Sequence, residues 1–243
     1  MKSRIVPCGQ MSGDDNMNIR QLFDKASSTY SYLLWDSATR EAAIIDPVKE
    51  EVERDIRLIG ELGLKLLYSL ETHIHADHVT GGGLLRDALG CQIAVHKNGQ
   101  AECADIWLEE GALIKFGSVT LRVLHTPGHT STDVCYLGDG MVFTGDTLLI
   151  RGSGRTDFQS GDAGQGYDSV TRRIFTLPEA TIIYPAHDYN GFTCSTVGEE
   201  KRCNPRLGMD RSRDEYIAIM DGMNLPEPEK MDIAVPGNQR CGF

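Results

Sequence analysis

The chain of 243 residues has no C-x-x-C pair, no basic excess and no long apolar run. No stretch approaches the ~20 consecutive apolar residues that a membrane-spanning helix requires, so a membrane partner is not expected. The formal charge is -11, which argues against nucleic acid, because phosphate binding needs a basic face. Low-complexity tracts and repeats at solenoid spacing are also missing, which leaves an ordinary globular protein, long enough for one large α/β domain or two small ones. The seven cysteines (Cys8, Cys91, Cys103, Cys135, Cys194, Cys203 and Cys241) are odd in number and unpatterned. Without a signal peptide they read as reduced thiols in a cytoplasmic protein. Cys91, Cys103 and Cys135 suit buried small hydrophobes, whereas Cys194 and Cys241 are left open. Residues 1–16 have neither apolar periodicity nor the Arg-rich amphipathic pattern of a transit peptide, and read as a flexible extension or alternative start.

From Met17 onward the pattern is regular. "SYLLWD" (31–36) and "EAAIID" (41–46) read as a hairpin turning at "SATR". Val48, Val52, Ile56 and Ile59 recur at three- and four-residue spacing, which predicts an amphipathic helix over 48–63. Then come a buried strand over 64–72, a helix over 82–89 and a strand over 92–96. The second half gives strands over 119–126 and 180–188 and a hairpin over 133–146. Four of these strands run into a ligand-grade residue, at His73, His129, Asp146 and His187. Ligands in layered α/β folds gather at strand ends, where loops converge on one sheet edge. No linker interrupts the chain, so residues 17–243 read as one domain with a helical C-terminal segment from about residue 197.

"ETHIHADHVTGGG" (71–83) places His73, His75, Asp77 and His78 within six positions. With His129 and His187, five of the seven histidines fall on strand-end loops. Core packing does not explain such a cluster, because buried ionisable groups are costly unless paired or metal-bound. His96 and His125 lie outside it and read as structural. The spacing alone permits one metal or two.

"THIHADH", "TPGHT", "FTGD" and "YPAHD", in that order, resemble the ligand motifs of the metallo-β-lactamase superfamily, whose fold is an αββα sandwich. "RQLFDKASSTYSYLL" (20–34), "LLIRGSGRTDFQSGDA" (148–163), "PAHDYNGFTCSTVGEEKRCNPRL" (185–207) and "LPEPEKMDIAVPGNQRCG" (225–242) are similar to the persulfide dioxygenase, or ethylmalonic encephalopathy protein, family. This resemblance implies one Fe(II) per chain held by His73, His129 and Asp146, with glutathione persulfide and O2 as substrates and sulfite and glutathione as products. It implies Arg206, Arg155, Tyr189 and Thr130 at the substrate, although an Arg after a Gly-rich loop often pins backbone carbonyls and Thr130 suits a supporting place beside His129. His75, Asp77, His78 and His187 would orient ligands and hold water. A homodimer is expected, as is a separate sulfurtransferase (rhodanese) or quinone oxidoreductase acting in the same pathway, since no sulfurtransferase is fused here. The alternative is a dinuclear zinc thioester hydrolase of the glyoxalase II type. It is disfavoured because only about 55 residues follow His187, fewer than that family's helical C-terminal domain needs.

Overall fold

Alternation along one strand sets the layering. In "TYSYLLWD", Tyr32 and Leu34 face one hydrophobic cluster while Leu33 and Trp35 face another, so this strand is buried on both sides. The computed structural model describes residues 16–226 and 230–243, so the expectation for 1–15 lies outside the described residues. Its first sheet has the order β1 (Met17–Asp24), β2 (Thr29–Asp36), β3 (Glu41–Ile45), β4 (Lys65–Leu70), β5 (Gln92–His96), β6 (Ile106–Leu108). The second runs, edge to edge, β12 (Ser195–Thr196), β11 (Ile182–Pro185), β10 (Met141–Gly145), β9 (Val134–Gly138), β8 (Val119–His125), β7 (Leu113–Phe116). The β2–β3 hairpin pairs antiparallel with Tyr32 opposite Ile45, while β3–β4 and β4–β5 are parallel.

The central core joins the two sheets. Tyr32, Leu34, Ile45 and Leu70 from the first meet Phe116, Leu121, Val123, Tyr136 and Phe143 from the second. Tyr32 sets its ring edge-on to Phe143 at 5.1 Å and donates its hydroxyl to the Pro185 carbonyl. Outside the first sheet lie α1 (Val52–Glu61) and α2 (Gly82–Leu89), which bury Val52, Ile59 and Leu85 on Leu33, Ile44 and Leu66. Outside the second lie α3 (Ala163–Ser169), α4 (Val197–Cys203) and α5 (Arg213–Asp221). The cluster there is built on Val142, Ile174, Ile183, Val197 and Tyr216. The last helix, α6 (Met231–Asn238), leads to Cys241, which is buried with Ile74, Ile93 and Val95. This is the αββα sandwich that the motifs implied.

The reduced-thiol expectation is corrected. Cys103 and Cys241 form a disulfide across a separation of 138 residues with Cα atoms 6.0 Å apart, and Cys194 is also disulfide-bonded. The pairing is tertiary: the tail after α6 folds back on the loop after β5, which residue spacing cannot reveal. Cys91 and Cys135 are free and buried, as read from the sequence.

Candidate metal centre

Each strand-end loop is fixed before it contributes a side chain. After β4, Thr72 donates its backbone N–H and its hydroxyl to the two carboxylate oxygens of Asp46, at 2.7 and 2.8 Å. Because that hydroxyl proton is committed, Thr72 Oγ1 accepts from His73 Nδ1 at 3.0 Å, and the His73 Nε2 lone pair stays free. Burial, with the neighbouring His75 and His129, holds the His73 pKa well below its usual value, so the ring is neutral. After β8, Gly128 lies so close to Gly166 of α3 that a Cβ on it would meet the Gly166 Cα at 2.3 Å. That approach sets the turn into His129, whose Nδ1 donates to the Arg155 carbonyl at 2.6 Å. His129 Nε2 then turns its lone pair toward Asp146 Oδ2, 3.5 Å away. Gly145, at φ +52, makes the left-handed step from β10 to Asp146, and a Cβ there would strike Thr72 at 2.6 Å.

His73, His129 and Asp146 thus offer donor atoms all within 4.8 Å of one another. Two imidazole lone pairs and a carboxylate that face each other repel unless a cation sits between them. Asp146 Oδ1 is itself buried with no hydrogen-bond partner among the described residues. The donor set fits a divalent metal.

A second set lies beside the first. His75, Asp77 and His78 also bring donor atoms within 4.8 Å of one another. His75 Nδ1 and His78 Nε2 are buried without partners among the described residues. The other nitrogens are occupied: His75 Nε2 lies 3.1 Å from Asp46 and 3.5 Å from Glu71, and His78 Nδ1 lies 2.9 Å from Asp77. Burial opposes charge on His75, yet Asp46 and Glu71 overcome it and raise its pKa well above the usual value. His187 donates Nδ1 to the Ser28 carbonyl and points Nε2 at Asp77 and Asp146, 3.6 Å from each. Burial is again outweighed, here by Asp146 and Asp77, and the His187 pKa rises. Asp77 is held well below its usual value against its own burial by His78 and His187.

His129, Asp146, Asp77 and His187 line a cavity of about 590 Å³ whose walls also include Tyr189 and Arg206. Tyr189 stacks on His187 with ring centres 6.1 Å apart. Arg206 donates Nη1 to the Ser153 carbonyl at 2.6 Å and has no carboxylate partner among the described residues. Burial lowers its pKa, the mark of a cation short of a counter-ion. Arg155 also lines the cavity, but its guanidinium is engaged: it grips both oxygens of Asp157 and donates to the Leu225 and Pro226 carbonyls. The backbone-pinning role is the one its contacts carry. Thr130 takes the supporting place beside His129. It is buried, donates to Asp133 and is not part of the cavity wall. The structure adds Asp46 and Glu71, which the sequence reading did not single out. Asp46 was visible as the last residue of "EAAIID", another strand-end carboxylate.

The metallo-β-lactamase superfamily profile matches residues 24–187. The mouse protein "Persulfide dioxygenase ETHE1, mitochondrial" is 53% identical over 227 residues, covering 92% of this chain and 88% of that protein. A crystal structure of ETHE1 from Myxococcus xanthus superposes with a TM-score of 0.91 at 50% identity, covering 93% of this chain and 99% of that one. A hydroxyacylglutathione hydrolase from Francisella tularensis is 33% identical, covering 90% of this chain and 87% of its own. The order of the four ligand motifs, the sandwich and these likenesses agree, and the chain belongs to the persulfide dioxygenase family of the metallo-β-lactamase superfamily.

Proposed function

We propose that the chain oxidises glutathione persulfide, with O2 and water, to glutathione and sulfite at one Fe(II) held by His73, His129 and Asp146. The family membership carries this reading, and the converging lone pairs of the three residues support it. His73, His129 and Asp146 would hold the Fe(II), which would supply the chemistry that activates O2 toward the persulfide sulfur.

The protein's own groups do the rest. The Nδ1 bonds of His73 and His129 hold both rings in the tautomer that leaves Nε2 as the donor. Arg206, a cation in the cavity wall, takes a carboxylate of the glutathione moiety, and the Tyr189 hydroxyl supplies a further hydrogen bond. Arg155 acts on the substrate at one remove, through the wall at Leu225 and Pro226. His75, Asp77, His78 and His187 orient the site, and Asp77 with His187 positions the water that releases sulfite. The glyoxalase II-type alternative draws on one observation, the second donor set at His75, Asp77 and His78.

Metal analysis of protein purified without added zinc separates the two. About one iron per chain is expected. Two zinc ions per chain, with hydrolysis of S-lactoylglutathione, would overturn the dioxygenase reading.

A further inference from the structure

The loop from His75 to Thr80 carries Asp77 and His78, yet it belongs to no helix and no strand longer than a single bridge residue. Its backbone is held from outside by one residue near the end of the chain. Asn238 donates its amide N–H groups to the His75 and His78 carbonyls, both at 2.9 Å, and accepts from the Thr80 N–H at 2.7 Å. Three bonds from one buried side chain therefore bracket both residues. Among the described residues, neither carbonyl has another partner. A buried carbonyl left unpaired is costly, so removing the amide has to move the loop.

Asn238 is the last residue of α6, an eight-residue helix with Pro236 inside it, too short to persist without tertiary support. Two observations tie its end down. Cys241, three residues on, is bonded to Cys103, and the Cys241 carbonyl accepts from Gly83 N–H at 2.8 Å. The sequence motifs did not absorb any of these contacts, because they join points about 160 residues apart.

We propose that Asn238 is a positioning residue for the loop bearing Asp77 and His78, and that the Cys103–Cys241 bridge keeps it in register. The setting of that loop then depends on whether the bridge is oxidised. When a dithiol reduces it, the bridge gains two electrons and two protons, becoming two thiols, and the dithiol leaves as its cyclic disulfide. The inference rests on the metal-centre reading, but its first readout needs neither metal nor substrate.

The test compares the full chain, Asn238→Leu, Asn238→Asp and Cys103→Ser, with dithiothreitol-treated wild type alongside. Amide hydrogen exchange over residues 75–80 is followed in the metal-free proteins. Iron per chain, kcat and KM are then measured after iron loading. Asn238→Leu should speed exchange across the loop by about tenfold or more and lower kcat about tenfold, with KM within roughly twofold of wild type and iron retained. Asn238→Asp keeps the acceptor for Thr80 but faces two carbonyls with a carboxylate, so it should protect Thr80 alone. Cys103→Ser and the reduced wild type should show the same change in smaller measure. A lowered Tm with unchanged loop exchange and unchanged kcat would make Asn238 merely structural and overturn the proposal. Should Asn238→Leu fail to fold, Cys103→Ser decides, because dithiothreitol also reaches the Cys194 disulfide: loop exchange unchanged in Cys103→Ser contradicts the role of the bridge. Wild-type protein without oxygen uptake would sink the dioxygenase reading while leaving the exchange result standing.

Discussion

Arg206 and Asp146 are the side chains whose surroundings ask most clearly for something the protein does not itself supply. Arg206 is a half-buried cation with no carboxylate beside it among the described residues, and Asp146 keeps a buried oxygen without a donor. Substrate would answer the first and a metal the second. Arg206→Ala is expected to raise KM about ten- to hundredfold with a smaller effect on kcat, since charge-assisted bonds contribute roughly 1.5–3 kcal/mol and this one is remote from the reacting sulfur. Steady-state kinetics checks it, and an unchanged KM with collapsed iron content would make the residue structural. His129→Ala and Asp146→Ala should lose iron outright, whereas Asp77→Ala and His78→Ala should keep most of it while losing activity. Metal analysis of the four variants decides, and a fall from two metals to one in the Asp77 and His78 variants would mean a dinuclear site. The histidines and Asp146 were legible because a ligand side chain at a strand end is a local signal. Asp46 was harder to see, because it acts through Thr72 and His75 on a neighbouring loop.

Among the elements, those with strong periodicity were read from the sequence nearly residue for residue. The helix over 82–89 and the strand over 92–96 are found at those bounds: the helix ends at Gly90 in the left-handed conformation, and the strand is a short apolar run buried on both faces, with Ala94 in one cluster and Ile93 and Val95 in another. The first helix starts later than 48, because Lys49–Glu51 form a tighter turn before Val52. The strands β6, β7 and β12 have two to four residues, too few for an alternating pattern to register. Helix α3, "AGQGYDS", has two glycines in seven residues and owes its start to Asp162, which accepts from the Gln165 N–H. The segment at Leu225 and Pro226 carries no local signal beyond its family likeness, and its place as a cavity wall depends on Arg155. Arg155→Ala should therefore raise KM by about tenfold, with iron content kept, as expected for bonds of roughly 1–2 kcal/mol lost from a wall instead of from the metal. A loss of iron in that variant would show that the His129–Arg155 carbonyl contact, not the wall, had failed.

At the scale of the whole molecule, two distant contacts join parts that the sequence keeps apart. One is the Cys103–Cys241 bridge, invisible to spacing. The other is the stack of His96, at the end of β5, on His125, at the end of β8, with ring centres 4.1 Å apart, which links the two sheets. Burial, helped by His125 and Lys97, lowers the His96 pKa from 6.5 to about 4. His96 Nδ1 also accepts from the Asn98 N–H, which requires the neutral ring. A histidine depressed in the fold gives stability that is full above its unfolded value, and that stability is lost as pH falls toward the folded one. The loss should run from about pH 6.5 down to about 4. His96→Phe keeps the stack without the titration. Its Tm relative to wild type should therefore rise as pH is lowered through that window, and a constant difference would contradict the link.

If persulfide sulfur and O2 react together at this centre, an oxygen electrode will record it. Iron-replete protein given freshly made glutathione persulfide should consume O2 and release sulfite in equal amounts, and chelation of the iron should abolish the uptake. A flat trace from iron-replete protein under those conditions would contradict it.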